Sequence, residues 1–361
     1  MLLGRLQAGD FPSAVYVVAE RGRAVFADAL GKAVREPATH AATLETVYDL
    51  ASLTKPLVTG LLCARLVELG ELTLDASVAN YLLEFDRPDK NQITLRELLT
   101  HTSGLPAWRP LYLLAGEKDG ALAAIANLKL ECEPGERVIY SDLGFIVLGF
   151  LLQRLIGAPF AQLARRRIIE PLRLQRTLFS PTRAMQTGVA ACESGNAYER
   201  DMCERDFAAQ PYSAWRQEVI WGEVHDGNAH FLGGAAGHAG LFSTAGETLR
   251  LANQFIGPLS ELLARETCEL FRGNMTAGLN EARSFAWQLA ITKDSIAGPS
   301  LPPDAFGHSG FTGTSCWLDP NRERVFILLS NRTHAHPLPF ANINAVRRDF
   351  HTLAVSALES I

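Results

Sequence analysis

The chain has 361 residues, 47% of them hydrophobic and 20% charged, with a formal net charge of −5 at neutral pH. That balance excludes an extensively disordered chain, and the acidic excess argues against nucleic-acid binding, which draws on surplus lysine and arginine. No run of 18 apolar residues occurs, so no transmembrane helix is predicted, and the opening MLLGRLQAGDFPSA lacks the layout of a secretory signal, which points to the cytoplasm.

The predicted elements run as follows. Residues 14–34 read as two strands around a turn at Arg21-Gly22, because apolar β-rich runs flank a short polar gap. Residues 57–69 have helical apolar spacing and stop at Gly70. A short helix opens at Thr94 and closes at Gly104, with Pro106 just beyond. Two helices follow at 142–157 and 159–172, with Gly157 as stop and Pro159 as start. Residues 180–240 have little periodicity and are rich in Gly, Ala, His and Asn, so they read as a long ordered loop region. Helices are predicted again within 245–256 and 259–272, and a strand at 285–292. The stretch FGHSGFTGTSCWLDPNRERVFILLSNR reads as strand, turn at Asp319-Pro320-Asn321, and strand, before an amphipathic helix at 342–360.

Strands therefore lie at both ends of the chain and helices between them. The economical solution is an α+β fold, an antiparallel sheet flanked by helices. Residues 1–50 and 280–361 would form a discontinuous sheet domain, and 51–279 a mainly helical insertion. The six cysteines are scattered with no CxxC pair, the pattern of free buried thiols rather than of zinc ligands or disulfides.

Three short motifs bear on chemistry. In Ser52-Leu53-Thr54-Lys55, positions i and i+3 share a helix face, so the Ser52 hydroxyl and the Lys55 amine can meet. Pro56 lacks an N–H, which fixes this piece as a first turn. A serine hydroxyl becomes a nucleophile when a base removes its proton, and a desolvated lysine can serve. Tyr140-Ser141-Asp142 opens the helix at 142, where Tyr140 can relay a proton and Asp142 stands at the N-cap position. His308-Ser309-Gly310 precedes a strand hairpin. Gly310 would admit a substrate backbone to the strand edge, and the backbone N–H groups of Phe311 and Ser52 could form an oxyanion hole.

The ordered set SxxK, YxD, HxG resembles the serine penicillin-recognising enzymes: serine β-lactamases, especially class C, DD-peptidases, and related esterases and D-amino-acid peptidases. The resemblance extends through VYDLASLTKP, GELTLDASVANYL, ITLRELLTHTSGLP, PGERVIYSDLGFIVLG, GGAAGHAGLFSTAGE and GHSGFTGTSCWLDP, and so covers nearly the whole chain. It implies a serine hydrolase with the active site at the seam between sheet and helices. Ser52 would form the acyl-enzyme, Lys55 would activate it and Tyr140 would shuttle protons, with no cofactor. His308 stands where lysine is usual, and Asp142 where class C enzymes carry asparagine. Asp142 would then repel a substrate carboxylate, which favours esters or D-amino-acid peptides and amides over β-lactams. The expected partner is a small molecule or short peptide.

The loop 222–240 carries His225, Asp226, His230 and His238 without the HExxH spacing of a metal site. His225 and Asp226 are expected to bind substrate, with no metal. A non-catalytic ligand sensor on the same fold and a metal-dependent hydrolase are the competing functions.

Overall fold

The computed structural model describes residues 1–207 and 212–361. Strands β1 (Ser13–Glu20) and β2 (Arg23–Val34) form the N-terminal hairpin. Arg21 and Gly22 both take positive φ at its tip, the backbone that matches the twist of a tight hairpin. Further strands are β3 (His40–Ala41), β4 (Tyr48–Asp49), β5 (Leu178–Phe179), β6 (Leu241–Ser243), β7 (Gln288–Leu289), β8 (Phe306–Ser309), β9 (Ser315–Asp319) and β10 (Arg324–Ser330).

Seven of them make one antiparallel sheet in the order β3-β2-β1-β10-β9-β8-β7. The two chain ends meet at its centre, where Ala14 pairs with Ser330 and Glu20 with Arg324. One face is covered by helices Leu2–Gln7 and Asn344–Leu358, through a core that includes Phe11, Trp317, Phe326 and Phe350. The other face packs on the helical part through Val15, Ile327, Leu329, Leu61 and Trp287. Every residue of β10 is buried, which is why its sequence is an unbroken apolar run rather than an alternation. A small second sheet, β4-β6-β5, anchors the segment that leads into Ser52.

Helix Asp142–Ile156 is the axis of the helical part, and nine of its residues are buried. Gly149 on it touches the 237–238 segment so closely that a Cβ there would lie 2.9 Å from the Gly237 nitrogen. Gly237 thus lies against this helix, one residue before His238, whose carbonyl is 3.2 Å from Lys55 Nζ.

Several predicted elements differ in form. The helix expected over 57–69 begins as a 3₁₀ turn at Ala51–Leu53 and a wide π-helical stretch at Lys55–Gly60, and becomes α-helical only at Leu61–Glu68. Pro56 cannot donate to the preceding turn, and the wide stretch accommodates it. The region 180–240 is not all loop. It contains helices Ala197–Asp206 and Gly227–Phe231 and a 3₁₀ turn at Arg183–Gly188, while 208–211 lie outside the described residues. Helix Ala197–Asp206 buries only Glu199 and Cys203, too narrow a stripe for its sequence to show. The strand expected at 285–292 contracts to β7 because Ala286 takes a left-handed conformation that interrupts it. The helix expected within 259–272 starts only at Arg265.

Candidate active site

The nucleophile motif sits on a tightly stitched turn. Ala51 has φ of 47°, a strained conformation for a residue with a Cβ. It is held there by its own amide, which donates to Asp49 Oδ1 at 2.8 Å, and by its carbonyl, which accepts from Thr54 Oγ1 at 2.7 Å. From the sheet side, Thr312 Oγ1 donates to the Asp49 carbonyl and Thr314 Oγ1 to the Leu50 carbonyl. The serine is thus fixed from both sides of the seam.

Lys55 is fully buried, and its Nζ reaches Ser52 Oγ at 3.0 Å and the His238 carbonyl at 3.2 Å. Asp142 Oδ1 lies 2.6 Å from the same nitrogen. The two form a close ion pair, and Oδ1 is sealed from solvent there. The Tyr140 ring centroid is 5.0 Å from Lys55 Nζ. The structure therefore brings Ser52, Lys55, Tyr140 and Asp142 together.

Burial pulls the Lys55 ammonium down, but the Asp142 carboxylate, with Tyr140, outweighs it and the pKa is raised. Burial raises the Tyr140 phenol above its ordinary value, against the downward pull of Lys55. At rest the cluster is an ammonium–carboxylate pair beside a neutral phenol.

These groups open on a cleft of about 440 Å³ lined also by His308, Gly310, Phe311, Arg283, Arg332 and Arg347. The amides of Ser52 and Phe311 both border it, and among the described residues neither donates to another protein group. His308 is pushed well below the ordinary imidazole range, by burial first and then by the cations Lys55 and Arg283. Its Nδ1 lies 2.8 Å from the Ser309 carbonyl, which can only accept, so the neutral ring keeps its proton on Nδ1.

Other predicted residues have different surroundings from those expected. The space beside Gly310 is filled by the chain itself: a Cβ there would lie 2.1 Å from Thr314 Oγ1 and 2.5 Å from the Leu50 carbonyl. The missing side chain lets β8 close on the nucleophile turn. Ser141, not Asp142, caps helix Asp142–Ile156, since its Oγ accepts from the Gly144 amide. Asp142 does not stand free to repel a substrate, because Lys55 neutralises it. His225 and Asp226 back the cleft rather than line it. His225 is pinned between Glu193 Oε2 and Asp49 and stacks behind Phe311, with ring centroids 5.4 Å apart. Asp226 caps helix Gly227–Phe231 and holds His238 Nε2 at 2.8 Å, and so steadies the residue whose carbonyl contacts Lys55.

With this geometry in place, the comparisons with known proteins are specific. A family model described as beta-lactamase matches residues 2–348. The chain belongs to the β-lactamase family. It is a serine hydrolase of the superfamily that also holds the penicillin-binding proteins. "N-acetylmuramyl-L-alanine amidase" of Bacillus subtilis (strain 168) is 30% identical over 95% of this chain and 82% of its own length. "Putative D-alanyl-D-alanine carboxypeptidase" of Escherichia coli (strain K12) is 30% identical over 81% of this chain and 71% of its own. Among solved structures, EstCE1, a hydrolase with promiscuous acyltransferase activity, superposes with a TM-score of 0.73 at 24% identity, covering 96% of this chain and 95% of its own.

Against that family background, the residues that sequence reasoning missed are the arginines. Arg283 is buried, with its guanidinium carbon 5.3 Å from the Tyr140 ring centroid and one nitrogen on Glu281 at 2.7 Å. Arg347, from helix Asn344–Leu358, donates to the Gly310 and Thr314 carbonyls at 2.8 and 3.0 Å, and burial pushes its pKa down to about 9. Arg332 donates to the Phe311 carbonyl and lies over the Phe311 ring. No local pattern marks them: each comes from a different element, and only the fold gathers them. His101 was missed as well. Its Nδ1 accepts the Ser141 amide at 2.9 Å and its ring packs on Tyr140, which fixes the loop that carries the phenol.

Proposed function

We propose that this protein hydrolyses amide or ester bonds of small substrates, peptides and D-amino-acid amides first, through an acyl-enzyme on Ser52. The observation that carries the reading is the 3.0 Å contact between Ser52 Oγ and the buried Lys55 Nζ, at the floor of an open cleft. Ser52 attacks the substrate carbonyl, and its proton passes to Lys55, which gives one up within the buried cluster of Lys55, Tyr140 and Asp142. The developing oxyanion lies between the free amides of Ser52 and Phe311, where aligned donors are worth about 10²–10³ in rate each. Tyr140, a neutral phenol at rest, relays a proton from that cluster to the leaving group and, in deacylation, relays one from the attacking water back into it.

The substrate class follows from charge. Three guanidiniums, Arg283, Arg332 and Arg347, border the cleft, while Asp142 is neutralised by Lys55. A substrate with a free carboxylate, such as a short peptide's C terminus, matches that wall. The amidase and carboxypeptidase relatives favour amide substrates, and the esterase-like neighbour keeps simple esters in the panel. Amides are placed ahead of β-lactams on the amidase and carboxypeptidase relatives and not on the charge of the cleft, which a β-lactam carboxylate would also match.

The test is incubation with a fluorophosphonate followed by mass spectrometry, beside an activity panel of short esters, D-alanyl amides and peptides, and nitrocefin. The expected result is a single adduct on Ser52 and turnover of amides or esters ahead of nitrocefin. Ser52→Ala should lower kcat by several orders of magnitude, up to about 10⁶. An unmodified Ser52, or a Ser52→Ala variant with near-normal turnover, overturns the proposal in favour of a sensor or a metal-dependent hydrolase.

A further inference from the structure

Asp142 is a cleft residue with an unusual set of contacts. Its backbone amide is tied to the Ala107 carbonyl, which fixes the start of its helix. Its side chain is 18% exposed, and Oδ1 is sealed from solvent, with the ammonium of a fully buried lysine 2.6 Å away. The same ammonium touches the nucleophile. A carboxylate, an amine and a hydroxyl are thus joined through one nitrogen.

The surrounding charges define what that nitrogen can do. Tyr140, two residues before Asp142, is a neutral phenol. From β8 comes His308, and from the turn after helix Leu95–Leu99 comes His101. Both are held well below the ordinary imidazole range, by burial first and then by Lys55 and Arg283 among the neighbouring cations. Arg283 itself is paired with Glu281. From behind, the His238 carbonyl accepts from Lys55, and Asp226, within range of Lys55, is already committed to His238. Asp142 is the carboxylate in direct contact with the Lys55 ammonium, and an ammonium has no lone pair with which to take the Ser52 proton.

We propose that Asp142 is a catalytic proton acceptor: it takes a proton from Lys55 as the lysine takes the hydroxyl proton from Ser52. This role rests on the acyl-enzyme reading above. In the step, the Ser52 Oγ–H bond breaks and the Oγ–carbonyl carbon bond forms. One Lys55 N–H bond breaks as another forms, and an O–H bond forms on Asp142. The initial pair is net neutral, and so is the product: an ammonium, a carboxylic acid and one oxyanion. When the tetrahedral intermediate collapses, the bond to the leaving group breaks. The proton stored on Asp142 returns through Lys55, and the resting pair is restored as a proton is delivered to the leaving group. The exchange leaves the total charge of the buried groups and substrate unchanged, so no added net charge has to be kept out of water as the proton moves.

The experiment is single-turnover acylation by a p-nitrophenyl ester between about pH 5 and 10, for the wild type and Asp142→Asn. The wild type is expected to hold its rate down to about pH 7 or lower, because the lysine discharges its proton internally. In Asp142→Asn the proton must leave to solvent first, so the acid limb should move up by at least about one pH unit. The variant should then fall at least about tenfold below the wild type near pH 6, and approach it within about tenfold near pH 9. Parallel profiles, with the variant slower by one factor at every pH, overturn the proposal and leave Asp142 a structural counter-ion. A wild-type acid limb lying above about pH 8 overturns it without any variant, and that arm decides alone if circular dichroism shows Asp142→Asn to be unfolded. Absence of any Ser52 adduct in the wild type is a separate result, and it removes the acyl-enzyme reading itself.

Discussion

Replacing Gly310 by alanine tests how the two halves of the site are joined. Were this glycine present to admit substrate, a methyl group there would raise KM and leave the fold alone. The structure makes the opposite demand. The new Cβ would lie 2.5 Å from the Leu50 carbonyl oxygen and 2.1 Å from Thr314 Oγ1, whose own hydrogen bond goes to that same carbonyl. Ordinary contact begins at 3.4 Å, so roughly 1 Å of backbone movement is needed, and overpacking of this kind costs about 1–3 kcal/mol. The melting temperature should fall by roughly 1–4 °C across that range for a chain of this length. The movement separates the Phe311 amide from the Ser52 amide, and a misplacement of about 1 Å at a reacting centre costs about 10²-fold in rate. Thermal melts and steady-state kinetics on one preparation measure both effects. A variant with wild-type melting and kcat, altered only in KM, would refute the close-approach argument.

Two further predictions concern the packing behind the site. Burial, with Asp226 next, pushes the Glu199 carboxyl up to about 7 from its ordinary 4.5. The folded state then holds that proton more tightly than the unfolded chain, so stability is fullest below the unfolded value and is lost as pH rises through the folded one. The loss amounts to about 3 kcal/mol. Melting should therefore be lower near pH 8 than near pH 5, and Glu199→Gln should abolish most of that difference; an equal difference in the variant would count against it. Ser141→Ala removes both the helix cap to Gly144 and the bond to the Pro106 carbonyl. It should cost about 1–2 kcal/mol in urea unfolding, and lower kcat through Tyr140 while Ser52 still reacts with fluorophosphonate. Loss of that labelling in a folded variant would contradict the account.

Those elements whose cause is local were legible in the sequence. The SxxK pair follows from helix spacing, the N-terminal hairpin from its turn, and helix Asp142–Ile156 from its apolar run and the left-handed Gly157 at its end. Meanings that depend on tertiary neighbours were not. Asp142 looked like a cap facing substrate, and only the packing of its helix against the nucleophile turn showed it to be the partner of Lys55. Gly310 looked like space for a ligand, and only the register of β8 against Leu50 showed what fills it. His225 and Asp226 stood out by composition. The partners of His225, Glu193 and Asp49, lie far away in sequence, while Asp226 turns inward on Ala229 and His238 of its own loop.

The pairing of β1 with β10 has a consequence for how the protein comes into being. Ala14 waits for Ser330, more than 300 residues later, before the middle of the sheet can close. His308, Phe311 and the clamping Arg347 are all made at least 250 residues after Ser52. A growing chain on the ribosome therefore carries Ser52 and Lys55 long before it has a floor, a wall or an anion cradle for them. Contacts of such long range also form slowly. A complete site therefore requires the β8–β10 segment and helix Asn344–Leu358 to be made and docked, and a fragment that stops before them lacks it.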